Sequence, residues 1–122
     1  MKQVLFAVAL FLSIFALWSC EEDKWGYDNK VIFSARGGIE DVDGDRDIYT
    51  LSIADHNGNE ISATEVAGIM TVKYDWLTAS AAKHSNEITL TAEPNNTGKR
   101  RKLYVYAMVD NRSVDTTVIQ EK

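Results

Sequence analysis

Residues 102–109 constrain the fold of this chain more than any other segment. Leu103, Val105, Ala107 and Val109 fall on one face, and Tyr104, Tyr106 and Met108 on the other. Successive side chains of a strand point to opposite sides, so apolar residues at a spacing of two mark a strand with one face against a core. The period recurs elsewhere. Residues 48–54 place Tyr49, Leu51 and Ile53 on one face against Thr50 and Ser52 on the other. Residues 69–76 turn Met70, Val72, Tyr74 and Trp76 inward, and residues 87–92 do the same with Ile88, Leu90 and Ala92. Runs at 31–35, 61–66 and 114–120 bring the count to about seven. Turn chemistry separates them: Arg36-Gly37-Gly38, Pro94-Asn95-Asn96-Thr97-Gly98, Asp110-Asn111-Arg112-Ser113, and Asn57-Gly58, whose residues tolerate the positive φ of a type I′ hairpin turn. Beyond one helical turn at 79–83, no amphipathic helix is expected. The pattern predicts an all-β fold, an antiparallel immunoglobulin-like β-sandwich of about seven strands.

The N-terminus follows different rules. Lys2 precedes an apolar run over residues 4–18, interrupted only by Ser13, and the run ends at Cys20, the single cysteine. A cation, an apolar stretch and a small residue before a thiol form the layout of a secretory signal. Leu17-Trp18-Ser19-Cys20 resembles the lipobox of bacterial lipoproteins, with bulky Trp18 as a departure. That resemblance implies cleavage before Cys20, lipidation of its thiol and a membrane anchor of several acyl chains. Two alternatives stay open: a permanent spanning helix and cleavage by ordinary signal peptidase. Fifteen residues at about 1.5 Å each reach roughly 23 Å, short of the roughly 30 Å hydrocarbon core, which argues against the first. The division expected is a cleaved signal peptide over 1–19, a lipidated tether over 20–29 and a sandwich domain over 30–122.

After the leader, one domain of about 100 residues remains, with no disulfide available to it. Thirteen basic against eighteen acidic residues give a net charge of −5, one unit more negative once Lys2 is removed. Nucleic acid is an unsuitable partner for such a chain, since phosphate contacts need clustered cations. The one basic cluster, Lys99-Arg100-Arg101-Lys102, reads as a solvated turn or as the charged guard of an edge strand. Glu21, Glu22 and Asp23 would stand away from anionic head groups. They also resemble the acid-rich signal after the lipidated cysteine of surface-exported lipoproteins in Bacteroidetes, which implies an outer-membrane lipoprotein displayed at the cell surface; a plain polar spacer is the other reading. Trp25 and Tyr27 either lie at an interface or begin the fold.

The second half carries a more specific pattern. Trp76-Leu77 at a strand end, Ile88-Thr89-Leu90-Thr91-Ala92, Asn95-Asn96-Thr97-Gly98 leading to Arg100-Arg101-Lys102-Leu103-Tyr104-Val105, and Thr117-Val118-Ile119-Gln120 together resemble the BACON domain family over residues 76–122. The resemblance implies an immunoglobulin-like sandwich of the kind found on surface lipoproteins and polysaccharide-degrading proteins of gut Bacteroidetes, proposed to bind carbohydrate or mucin or to act as a spacer. The first half departs from the family pattern, with no early tryptophan in a strand before Trp76.

Two constellations carry candidate chemistry. Asp41, Asp43, Asp45 and Asp47 alternate through a Gly-bearing stretch, and hard cations such as calcium take six to eight oxygens. Counted from Asp41, the sixth and twelfth positions of an EF-hand would be Arg46 and Ser52, so that match fails; an irregular calcium site and a solvated acidic loop both remain. Tyr104 and Tyr106 share a face about 7 Å apart along one strand, a spacing suited to stacking on sugar rings, or to covering the sheet. Trp76 is expected in the core. No nucleophile elbow accompanies the serines, and His56 and His84 are too far apart for a local zinc motif. The expectation is therefore a non-catalytic lipoprotein that binds glycan or mucin through Tyr104 and Tyr106, without a cofactor unless calcium. The alternative is an accessory module that binds a protein partner through a sheet edge.

Overall fold

The structure, a computed structural model, describes residues 23–24, 26–110 and 112–122. The apolar leader, Cys20, Glu21, Glu22 and Trp25 lie outside the described residues. Twelve strand segments run in order: β1 (Asp23–Lys24), β2 (Tyr27–Asp28), β3 (Lys30–Phe33), β4 (Gly38–Asp43), β5 (Ile48–Ala54), β6 (Glu60–Ser62), β7 (Thr64–Val66), β8 (Ile69–Tyr74), β9 (Leu77–Ala82), β10 (Glu87–Ala92), β11 (Arg101–Val109) and β12 (Arg112–Gln120). Ten of them form two packed five-stranded sheets, β3-β12-β11-β5-β6 and β4-β10-β9-β8-β7, while β1 pairs only with β2. The core between the sheets is filled by Phe33, Leu51, Ile53, Val72, Leu77, Ile88, Leu90, Leu103, Val105, Val118 and their neighbours. The all-β sandwich expected from the alternation is present. The expected number of strands is too low, and the sandwich is not wholly antiparallel, because β3 runs parallel to β12.

Each departure has a local cause. β9 lies where one helical turn was expected; its inward residues after Leu77 are Ala79 and Ala81, both buried, so packing overrides alanine's weak strand preference. β4 was read as part of an acidic loop because Val42 is its single buried side chain. Residues 61–66 form two strands, since the chain crosses at Ala63 from the first sheet to the second. Tyr49 does not share a face with Leu51. Ile48 stands opposite Val109 and Thr50 opposite Met108, which leaves Tyr49 as the extra residue of a bulge and turns it out to 39 % exposure. The β5-β6 hairpin exists, but Asn57 and Gly58 lie in a five-residue loop in which Asp55 Oδ1 accepts from the Asn57 and Asn59 amides. A two-residue turn of the I′ kind occurs instead at Ala67-Gly68, with φ of 51° and 80°.

Tyr27 begins the fold. It is 2 % exposed, its hydroxyl donates to the Arg46 carbonyl oxygen, and its ring lies against Gly44, so part of the stretch assigned to a tether belongs to the packed domain. Burial, then the carboxylates of Asp47, Asp43 and Asp45, push its phenol from 10.0 up to about 12. The fold thus favours the neutral phenol. Its stabilisation is complete below the unfolded value near 10 and is lost as the pH rises towards about 12. Tyrosinate absorbance should show an ionisation step close to pH 12 that disappears in Tyr27→Phe, together with the corresponding alkaline loss of unfolding free energy. A titration identical in the two proteins would contradict this environment.

The opposite pole is closed by polar groups. Gln120, fully buried, accepts at Oε1 from Arg101 Nε at 2.8 Å and donates through Nε2 to Glu93 O at 2.7 Å and Ser34 O at 3.2 Å, bridging the ends of both sheets. The Arg101 guanidinium lies 4.9 Å from the centre of the Trp76 ring, itself 3 % exposed. Asn95 completes the closure, donating to Lys99 O and Glu121 O and accepting from Thr97 Oγ1.

Candidate functional site

The outward face of the first sheet is built by register. β11 is its central strand, and residues directly opposite on neighbouring strands share a face. Tyr104 stands between Thr117 of β12 and Ala54 of β5, and Tyr106 between Asp115 and Ser52. Tyr104 is 38 % exposed, Tyr106 half-buried and Met108 36 % exposed. The two rings therefore form one outward stripe, as their spacing predicts, with the small side chains of Ala54 and Ser52 opposite them. Ser52 Oγ donates to Glu60 Oε1 at 2.8 Å, fixing a carboxylate on the Tyr106 side. Burial, Asp115, Glu60 and Tyr104, in that order, raise the Tyr106 phenol, so it remains a hydrogen-bond donor at neutral pH.

Two concavities flank the stripe. One, of about 350 Å³, opens where the chain changes sheets at Ala63; Tyr49, Ser52, Glu60, Ser62, Glu65 and Lys83 are among its lining. Lys83 Nζ pairs with Glu65 at 3.4 Å, and Tyr49 meets His84 edge-on at 5.1 Å. The other, of about 330 Å³, is lined by Arg100, Arg101, Lys102 and Ile119. Lys102 Nζ stands 5.8 Å from the Tyr104 ring centre. Because β11 is central, the basic cluster does not guard an edge strand; of the two readings, the solvated turn fits Lys99 and Arg100, which are exposed ahead of β11. Sequence reasoning also missed Tyr49, displaced by the bulge, and Glu60, brought in only by the β5-β6 hairpin.

The acidic stretch divides between a strand and a turn. Asp41 and Asp43 are exposed on β4, where Asp41 accepts from Thr89 Oγ1 at 2.9 Å, and Asp45 and Asp47 lie in the turn that follows. The Glu87 carboxyl is raised, first by a hydrogen bond to Asp43 and then by the charges of Asp41 and Asp43. Asp43, Asp45 and Asp47 all lie close enough to the buried Tyr27 phenol to raise it. Among the described residues, no group of three or more His, Cys, Asp or Glu side chains is gathered to hold a metal ion. The histidines are separated as well: His56 Nε2 contacts Asp75 Oδ2 at 3.3 Å near the Gln120 pole, and His84 lies beside Tyr49.

No family model matches the chain, and no curated protein does. Among solved structures, an NMR structure of a protein from Bacteroides thetaiotaomicron superposes with a TM-score of 0.53 at 16% identity, covering 82% of this chain and 79% of that one. The two share a fold. A Bacteroides ovatus GH5 xyloglucanase in complex with a XXXG heptasaccharide matches with a TM-score of 0.49 at 17% identity, over 76% of this chain and 17% of the enzyme.

Proposed function

We propose that this chain is a lipoprotein of the outer membrane, anchored through Cys20 and displayed at the cell surface, whose BACON-like, immunoglobulin-like sandwich binds glycan or mucin without catalysis. The observation that carries the reading is the Tyr104-Tyr106 stripe, two aromatic side chains on the outward face of a central strand with small neighbours on one side. Ring faces stack on the apolar face of a pyranose, while Glu60, Asp115 and the Tyr106 hydroxyl supply hydrogen-bonding partners for its hydroxyls.

A glycan array probed with the full chain in detergent, with and without calcium, tests the reading. The Tyr104→Ala/Tyr106→Ala variant should lose at least tenfold in affinity, about 1.4 kcal/mol, and still unfold cooperatively, with a midpoint lowered only by the loss of two aromatic strand residues. Equal retention by both proteins would remove the site. The alternative partner, a protein strand added to a sheet edge, is disfavoured by the edges themselves: β3, β6 and β7 have four, three and three residues, and β4 carries Glu40, Asp41 and Asp43.

A further inference from the structure

We propose that the Tyr104 end of this face selects acidic glycans, sugars bearing a carboxylate or sulfate, and that Lys102, Lys30 and Arg100 are the groups that select them. The inference rests on the glycan reading above and names the substrate class of the same face. It begins from a reversal of sign: a chain of net charge −5 has, beside its outward ring, a groove whose lining among the described residues is three cations and an isoleucine, with no acid.

The three cations are not equivalent. Arg101 is committed to Gln120, the Pro94 carbonyl and the Trp76 ring, so it serves the fold. Arg100 is partly balanced by Glu121, at 2.9 Å. Among the described residues, neither Lys102 nor Lys30 forms an ion pair, and Lys102 has only a ring at 5.8 Å, the outer limit of a cation–π contact. Pairing sets both lysines on the face that carries the Tyr104 ring. Lys102 precedes Tyr104 by two residues on β11, and Tyr104 stands opposite Thr117, which stands opposite Lys30 on β3. Two strand spacings are about 10 Å, a span that a lysine side chain leaning towards the ring shortens. Ile119, opposite Lys102 and only 7 % exposed, gives the groove an apolar floor along which cationic stems can lie, and an apolar floor strengthens a charge pair formed above it.

The stripe is graded along its length. Two residues further along β11, Tyr106 has Asp115 opposite it, and the Glu60 carboxylate, whose backbone stands on the Tyr104 rung beyond Ala54, is drawn towards Tyr106 by its bond from Ser52 Oγ, so an anionic substituent there would meet like charge. A glycan lying along β11 is thereby registered, with its acidic sugar over Tyr104 and a neutral sugar over Tyr106.

The test measures binding of the full chain, in detergent micelles, to polygalacturonate, to its methyl ester, to chondroitin sulfate and to neutral galactan. An acidic probe should bind about tenfold or more tightly than the ester or galactan, with a preference that falls as salt rises. Lys30→Gln/Lys102→Gln should remove most of that preference, Arg100→Gln added to it should bring the probe down to the neutral level, and Tyr104→Ala should weaken it independently. Binding to galactan and ester equal to that of both acidic probes would overturn the inference and leave the glycan reading standing. Polyanion retention undiminished by Tyr104→Ala would be simple ion exchange and would overturn the assigned site. Binding to none of the four would overturn the inference, and a blank glycan array beside it would remove the glycan reading as well.

Discussion

A chain carrying Gln120→Leu is expected to unfold with about 3 kcal/mol less free energy than its parent, although leucine is of similar size and more apolar. The carboxamide does three jobs at once: it accepts from Arg101 Nε and donates to the carbonyl oxygens of Ser34 and Glu93. Leucine leaves the Arg101 Nε donor and the Ser34 carbonyl seeking water at a position with 0 % exposure, and leaves Glu93 O with only the 3.4 Å bond from Arg101 Nη2. The guanidinium over Trp76 loses its shortest bond and keeps only those from Nη2 to Glu93 O and Pro94 O. Urea unfolding of single and double variants checks the argument. Gln120→Leu and Arg101→Leu together should cost clearly less than the sum of the two, because each breaks the same contact. Full additivity, or a single-variant cost below about 1 kcal/mol, would show that the pole is closed in some other way.

Gly44→Ala should be comparably damaging for a steric reason. A Cβ placed there would meet the Tyr27 ring at 2.0 Å from one carbon and 2.3 Å from two others. That ring is held by burial and by its hydroxyl bond to Arg46, and the Gly44 amide is itself tied to the Asn86 carbonyl oxygen, so neither partner can yield cheaply. The expected cost is about 3 kcal/mol, a large share of the stability of a domain this size. In a Tyr27→Ala background the obstacle is gone, and the same substitution should cost about 1 kcal/mol or less. Equal costs in both backgrounds would mean that Tyr27 does not lie over Gly44.

The sandwich could be read where one residue in two is large and apolar: β10 and β11 are legible because Ile88, Leu90, Leu103 and Val105 mark their inward faces. It was hidden where that marker fails. β9 buries alanines, β4 buries a single valine among acids, and the bulge at Tyr49 reverses parity within one strand. The same distinction applies to the candidate site. Tyr104 and Tyr106 are neighbours on one strand, so local spacing places them on one face. Lys30 reaches the same face only through the pairing of β3 with β12, at a separation no local pattern encodes. Trp76, Asn95, Arg101 and Gln120, which belong to the motifs most suggestive of a family, meet one another at a closed pole. Their pattern reports how the sandwich is shut.

The parallel pairing of β3 with β12 has a mechanical consequence. If the chain is held from its N-terminal end while a ligand pulls on β11, tension enters along β3 and passes to β12 across the rungs from Lys30-Thr117 to Phe33-Gln120. Those hydrogen bonds are then loaded side by side, in shear, and must give way together. The short β1-β2 ladder just ahead of them would peel open rung by rung. Opening that ladder lets the strand Asp23–Lys24 draw away under strain, while Tyr27 and the sheet that bears the ring face keep their places.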